Sequence, residues 1–141
     1  MIELMVVIGI LGTITAIAIP AYNGYLEKAR VAKAIAEIAI MQAEIEGYRS
    51  ETQGLPKTLN DIGRGTLEDP WENNYRYLSF DGIKGKGAMR KDRFMVPLNT
   101  EYDLYSMGKD GKTVASLTGG AAHDDVIRAN DGRFIGLASD F

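Results

Sequence analysis

The sequence predicts an α+β chain: one long N-terminal α-helix, then a small C-terminal head containing a short antiparallel β-sheet. Three observations predict it. No charged residue falls between Glu3 and Glu27, and the run between them is dominated by Ile, Leu, Val, Met, Ala and Gly. From Tyr25 the helical pattern turns amphipathic. Beyond the helix, aromatic-rich segments alternate between turn-forming clusters.

The uncharged run is long enough, at about 20 residues, to cross the core of a bilayer as a helix. A cleaved secretory signal fits poorly, because the basic leading segment and the small-residue cleavage site are missing. An ordinary membrane anchor with Glu3 at its wet edge fits the length. A lone carboxylate at the mouth of an apolar run is costly unless it has a partner or a role. Pro20 lacks an N–H and crowds the preceding turn, so a kink or local melting is expected there. Gly9, Gly12 and Gly24 weaken the helix but permit close approach of other helices.

Beyond Tyr25, Val31, Ile35, Ile38 and Ile45 share a face, with Met41 beside them, and Lys33, Glu37, Glu44 and Glu51 fall opposite. The helix is expected to end near Ser50, which makes it roughly 75 Å long at 1.5 Å per residue. Such a helix outruns the head it serves, so its apolar half must be buried by membrane or by other subunits. The expected organisation is 1–25 as the hydrophobic half, 26–50 as the amphipathic half and 51–141 as the head.

In the head, Gly54, Pro56 and Asn60 mark a loop, and Leu55 to Gly63 reads as a short helical turn capped by Thr58 or Asn60, or as an ordered loop. Asp69-Pro70 opens a turn into a strand carrying Tyr75 and Tyr77 on one face. Trp71 is expected to anchor the head against the helix. A second strand is expected from Tyr102 to Gly108. Phe94 to Leu98 reads as an edge segment, since Pro97 removes a ladder donor. The final stretch from Ala122 carries no assigned element.

The chain has 141 residues, a net charge of −3 and no cysteine. That length allows one compact domain besides the helix, and without disulfides a small extracytoplasmic head needs another staple or none. The overall charge gives no reason to expect nucleic-acid binding. Lys84, Lys86, Arg90, Lys91 and Arg93 cluster in a Gly-rich segment read as an exposed, solvated loop. With Phe80 and Phe94 nearby, a DNA contact is the competing reading. His123 is the single histidine. One histidine beside two aspartates builds no nucleophilic triad, so an enzyme is not expected.

Asp110, Asp124 and Asp125, with the Met107 carbonyl upstream, supply the hard oxygen donors that Ca²⁺ takes. The spacing is not that of an EF-hand. Asp and Gly are equally common in plain turns, so the chemistry alone leaves both readings open.

The first 30 residues, MIELMVVIGILGTITAIAIPAYNGYLEKAR, resemble the mature N-terminus of type IV pilins and type II secretion pseudopilins. The glutamate and proline of that pattern fall at Glu3 and Pro20. The family usually has four residues before the glutamate, beginning with Phe, where this chain has two. Two N-terminal residues and the short basic leader are therefore expected to be missing. The segments DPWENNYRY, EYDLYSMGKDG and HDDV resemble the C-terminal signature of the major type II secretion pseudopilin. This resemblance implies a calcium site formed by Met107 (carbonyl), Asp110, Asp124 and Asp125. The loop between Asp110 and Asp124 is longer than usual, Ala122 stands where a serine ligand is sometimes found, and the tail extends to Phe141.

The same resemblance implies a homo-oligomeric helical filament, with Glu3 facing the terminal amine of a neighbour. It implies partners in an inner-membrane assembly platform and minor pilins, membrane contact through the N-terminal helix, and N-methylation. The subunit would wait in the bacterial inner membrane, then join a periplasmic or cell-surface filament. The most specific role implied is the major pseudopilin of type II secretion. The alternatives are the major pilin of a surface type IV pilus, for adhesion or motility, and a DNA-uptake pilin.

Overall fold

The computed structural model describes residues 1–141. Helix α1 spans Ile2–Thr52, two residues past the expected end at Ser50. It is shared between two compact units, Met1–Arg30 and Val31–Phe141.

In the first unit every residue from Met1 to Leu26 is exposed. The local melting expected at Pro20 is absent: α1 runs through that position as continuous helix. Proline forfeits one intrahelical bond, but its neighbours Ala18, Ile19 and Ala21 are compatible with helix, and the turns on either side keep their own bonds. The two hydroxyls of the run are satisfied locally. Thr13 Oγ1 donates to the Ile10 carbonyl at 2.8 Å and Thr15 Oγ1 to the Leu11 carbonyl at 2.7 Å. This removes the penalty of a bare hydroxyl in an apolar setting.

In the second unit, Ala34, Ile38, Met41 and Ile45 are fully buried along one stripe of α1. Their spacing of three and four keeps them on one face. They pack on Leu59, Tyr75, Tyr102, Leu104 and Val126, with Trp71 half-buried at the margin. A short 3₁₀ turn, Leu59–Ile62, follows the helix. Its start is held by the Asp61 carboxylate, which accepts from the amides of Lys57 and Thr58 at 2.8 and 2.9 Å.

The sheet has four antiparallel strands in sequential order: β1 (Arg76–Ser79), β2 (Tyr102–Ser106), β3 (Val126–Ala129) and β4 (Phe134–Leu137). The β3–β4 hairpin fills the stretch that the sequence left unassigned. Its turn is Asn130-Asp131-Gly132, with positive φ at all three residues. Those residue types tolerate the left-handed region, which is why they close a hairpin here. Phe94 to Leu98 is not a strand: Asp92 and Met95 exchange main-chain bonds at 3.0 and 2.6 Å. They close a tight turn that leaves Phe94 fully exposed.

The sheet is covered on both faces. On one lies the α1 stripe. On the other lies a second core of Leu98, Leu117, Ile127, Ala129 and Ala138, edged by Tyr105, Phe134 and Phe141. The loops between β1 and β2 and between β2 and β3 supply Leu98 and Leu117. Period-two alternation explains the division: Val126 faces the helix while Ile127 and Ala129 face the loops.

Each face also carries one buried arginine stacked on a β2 tyrosine. Arg128 lies over Tyr102 at 4.1 Å, and its Nε donates to Gln42 of α1 at 2.9 Å. Arg90 lies over Tyr105 at 4.2 Å on the loop side.

Candidate functional site

Two regions hold the residues singled out by the sequence. The first is the start of α1. Glu3 lies in its first turn, exposed, and makes no ion pair or hydrogen bond within the chain. Helix dipoles favour an acidic group at that end, and an exposed carboxylate there is available to another molecule.

The second region is built where β2 leaves the sheet. Asp69, 3% exposed, is its hub. One carboxylate oxygen accepts from the amides of Trp71 and Asn73, both at 2.9 Å, and the other accepts from Ser106 Oγ at 2.5 Å. Ser106 Oγ in turn accepts from the Gly108 amide at 3.0 Å, and Asn73 Nδ2 donates to the Gly108 carbonyl at 3.0 Å. The DPWEN turn and the DLYSMG strand end are therefore one hydrogen-bonded unit. Gly108 has φ of 63°, and a Cβ there would lie 2.1 Å from the Asp124 carbonyl oxygen. Only glycine permits that approach of the two backbones.

This approach sets the acidic residues. Asp124 Oδ2 accepts from the Asp110 amide at 2.9 Å, and Asp110 Oδ1 accepts from the Lys112 amide at 2.8 Å. Met107 is half-buried and Asp110 exposed. Asp125 turns inward instead. Its Oδ2 accepts from Arg90 Nη2 and from Thr113 Oγ1, the latter at 2.5 Å, while its Oδ1 is buried with no hydrogen-bond partner. The Asp110 amide thus meets the Asp124 carboxylate, while one oxygen of the Asp125 carboxylate is taken by Arg90 and Thr113. No three carboxylate, imidazole or thiol side chains are arranged to hold a metal ion.

Arg90 corrects the expected exposed basic loop. It is 3% exposed. Its amide donates to Asp103 at 2.7 Å, and its guanidinium donates to Thr113 Oγ1, to the Val114 carbonyl at 3.0 Å and to Asp125. Lys84, Lys86 and Arg93 are exposed and Lys91 half-buried. A guanidinium is delocalised, weakly hydrated and forked, so it suits such a buried hub where an ammonium would not. Burial pushes the carboxyls of both Asp103 and Asp125 above their ordinary range; for Asp125 the Thr113 bond and the Arg90 charge oppose that push. His123 is exposed, as a solvated loop residue would be.

The sequence marked Asp125 but missed Arg90, Thr113 and Asp103. Arg90 and Asp125 are 35 positions apart, and no local pattern links them. The available signal was slight: Arg90 directly follows an apolar residue, Met89.

Comparison with known proteins places these features. The chain is 32% identical over 133 residues to the type II secretion system core protein G of Pseudomonas aeruginosa, covering 79% of this chain and 82% of the relative. It is 38% identical over 140 residues to a fimbrial protein of Pseudomonas aeruginosa, covering 94% of this chain and 79% of the relative. It is 28% identical over 131 residues to fimbrial protein Q of Moraxella bovis, covering 92% and 73%. No protein-family model and no solved structure matches it.

The Arg90 hub makes a direct prediction. Arg90→Met leaves Asp125 charged, buried and unpaired, which costs about 3–5 kcal/mol. Adding Asp125→Leu removes the orphaned charge and should recover a large part of that loss. Urea unfolding of the full chain in detergent, for both single variants and the double, measures it. A double variant whose loss equals the sum of the two single losses would show that the pair is not coupled.

Proposed function

The chain belongs to the type IV pilin-like family, and on that premise we propose that this pilin-like, membrane-anchored subunit is the major pseudopilin of a type II secretion filament. The observation that carries the reading is the uncovered apolar segment of α1, exposed from Met1 to Leu26 with Glu3 at its start. Such a surface is stable only in lipid or against other apolar helices. A filament of copies supplies the helices, and the membrane supplies the lipid before assembly.

Glu3 would set the register of that assembly. A carboxylate moving from the headgroup edge into a bundle of apolar helices must find a cation, and the terminal ammonium of a neighbouring copy is the nearest in kind. The role is structural, and no catalytic step is proposed. A second reading, the major subunit of a surface pilus, is favoured by one observation: the fimbrial relative is matched over 94% of this chain. The DNA-uptake reading loses part of its motive, because Arg90 lies inside the head and not on its surface.

The head is proposed to take Ca²⁺. The donor set fits a hard cation in kind, being three carboxylates and a carbonyl. The buried, unpartnered Oδ1 of Asp125 is an acceptor that such an ion would satisfy. Asp110, Asp124, Asp125 and the Met107 carbonyl would hold it, while Arg90 keeps Oδ2 of Asp125. When bound, the ion supplies positive charge that cancels carboxylate repulsion. This chain's own residues do the rest: Gly108 admits the Asp124 backbone, and Thr113 and Arg90 fix Asp125.

Two outcomes are expected. Glu3→Ala should cut filament yield from cells by about tenfold or more, the factor given by about 1.4 kcal/mol of lost affinity. The head's circular dichroism and melting should stay unchanged, and a normal yield would contradict the role given to Glu3. Calcium should raise the melting temperature of the detergent-solubilised chain through preferential binding to the folded state. A chelator, or Asp124→Ala, should expose Lys112 to Asp125 to protease. Identical melting and cleavage with calcium and with chelator would remove the ion from the account.

A further inference from the structure

The ion pair between Arg90 and Asp125 is half made. Arg90 Nη2 donates to Asp125 Oδ2, which also accepts from Thr113 Oγ1 at 2.5 Å. Both acceptor positions of that oxygen are thereby used. Nη1 is turned the other way, to Thr113 Oγ1 and, at 3.0 Å, to the Val114 carbonyl. One atom is left over on each partner. Arg90 Nε and Asp125 Oδ1 are both buried, and neither has a hydrogen-bond partner.

The two leftover atoms belong to one pairing pattern. Nε–H lies on the same edge of the guanidinium as Nη2, and two parallel N–H groups on one edge match the two oxygens of a carboxylate. Oδ1 therefore has two claimants: Nε–H, which would complete the fork, and the cation that the head is proposed to take. The guanidinium does not give way by losing its charge, since it stays protonated wherever the protein is folded. Stacking on Tyr105 at 4.2 Å and the bonds to the loop hold it in place. A divalent ion on Oδ1 would sit beside that fixed positive charge, where burial strengthens the repulsion. It would also leave Nε–H without its acceptor.

Resting on the calcium reading above, we propose that Arg90 is a resident cation that competes with Ca²⁺ for Asp125 and so sets the calcium concentration at which the site fills. Arg90 acts through Asp125 and is a positioning residue. At low calcium it supplies the counter-charge of Asp125, so the two loops stay joined. As calcium rises, the ion takes Oδ1 against the repulsion of the guanidinium. The affinity then falls below what the same carboxylates would give beside a neutral side chain. This places the site at the weak end of protein calcium sites, with a Kd of roughly 10⁻⁴–10⁻³ M.

The test uses the full chain in detergent. Calcium affinity is measured by titration calorimetry, and melting with calcium and with chelator, for the unaltered chain, Arg90→Met and Thr113→Val. Arg90→Met removes the charge and the fork, whereas Thr113→Val removes the other bond to Oδ2 and no charge. Arg90→Met should bind calcium about tenfold tighter or more, a coupling of ordinary size between two ligands of one group. It should also gain more in melting temperature from calcium than the unaltered chain, because the ion then supplies the missing counter-charge. Thr113→Val should not tighten binding; a mere loosening of Asp125 would move both variants alike and overturn the proposal. Folding of Arg90→Met only in calcium would support it. Should that variant fold in neither condition, the unaltered chain decides: the assigned ¹⁵N–¹H signal of Arg90 Nε should shift as calcium is added. Calcium binding with that signal unmoved, or with Arg90→Met no tighter, would overturn the competition and leave the calcium reading standing. Absence of binding by both the unaltered chain and Arg90→Met would remove both.

Discussion

The head depends on one buried contact, the Arg90 guanidinium on the Asp125 carboxylate. The loops between β1 and β2 and between β2 and β3 are long, and cysteine is absent from the chain. Ordering each residue of those loops costs about 1–2 kcal/mol of backbone entropy, and their apolar contribution is small, chiefly Leu98 and Leu117. Arg90 ties the first loop to the second at Thr113 and Val114, and both to the entry of β3 at Asp125. A buried ion pair is not strongly stabilising against an apolar replacement. What it does here is define one arrangement, because any other leaves a charge without a partner.

The same economy appears on the opposite face. Arg128 stacks on Tyr102 and reaches Gln42, which ties the sheet to α1 by a polar contact inside an otherwise apolar interface. The sheet therefore sits between two cores, each pinned by an arginine on a β2 tyrosine. This leaves the acidic turn at Asp110 and Asp124 and the exposed Phe94 turn as parts of the head free to meet other molecules. The first 26 residues of α1 form a separate surface, apolar and uncovered.

Local patterns were readable and distant pairings were not. The stripe Ile38, Met41 and Ile45 follows from helical period, and the strands at Tyr77 and at Tyr102 to Ser106 from alternation between turns. The β3–β4 hairpin was missed although Val126 to Leu137 carries apolar residues on both sides of an Asn-Asp-Gly turn. Arg128 within it is buried, its charge met by a ring and a glutamine from elsewhere. Arg90 was misplaced because composition places an arginine at the surface, and only the three-dimensional arrangement supplies its counter-charge. At Pro20 the helical turns on both sides keep the segment from melting. Of the acidic residues, Asp124 accepts from the Asp110 amide, while Asp125 is held by Arg90, a partner the sequence does not advertise.

The central claim is that copies of this chain bury the apolar segment of α1 against one another. A cryo-electron-microscopy map of filaments purified from cells tests it most directly. The account predicts the segments from Ile2 to Leu26 of successive copies packed along the fibre axis, each Glu3 carboxylate beside a neighbour's terminal ammonium, with the heads outside. Fibres held by head contacts alone, with those helices facing solvent, would contradict it.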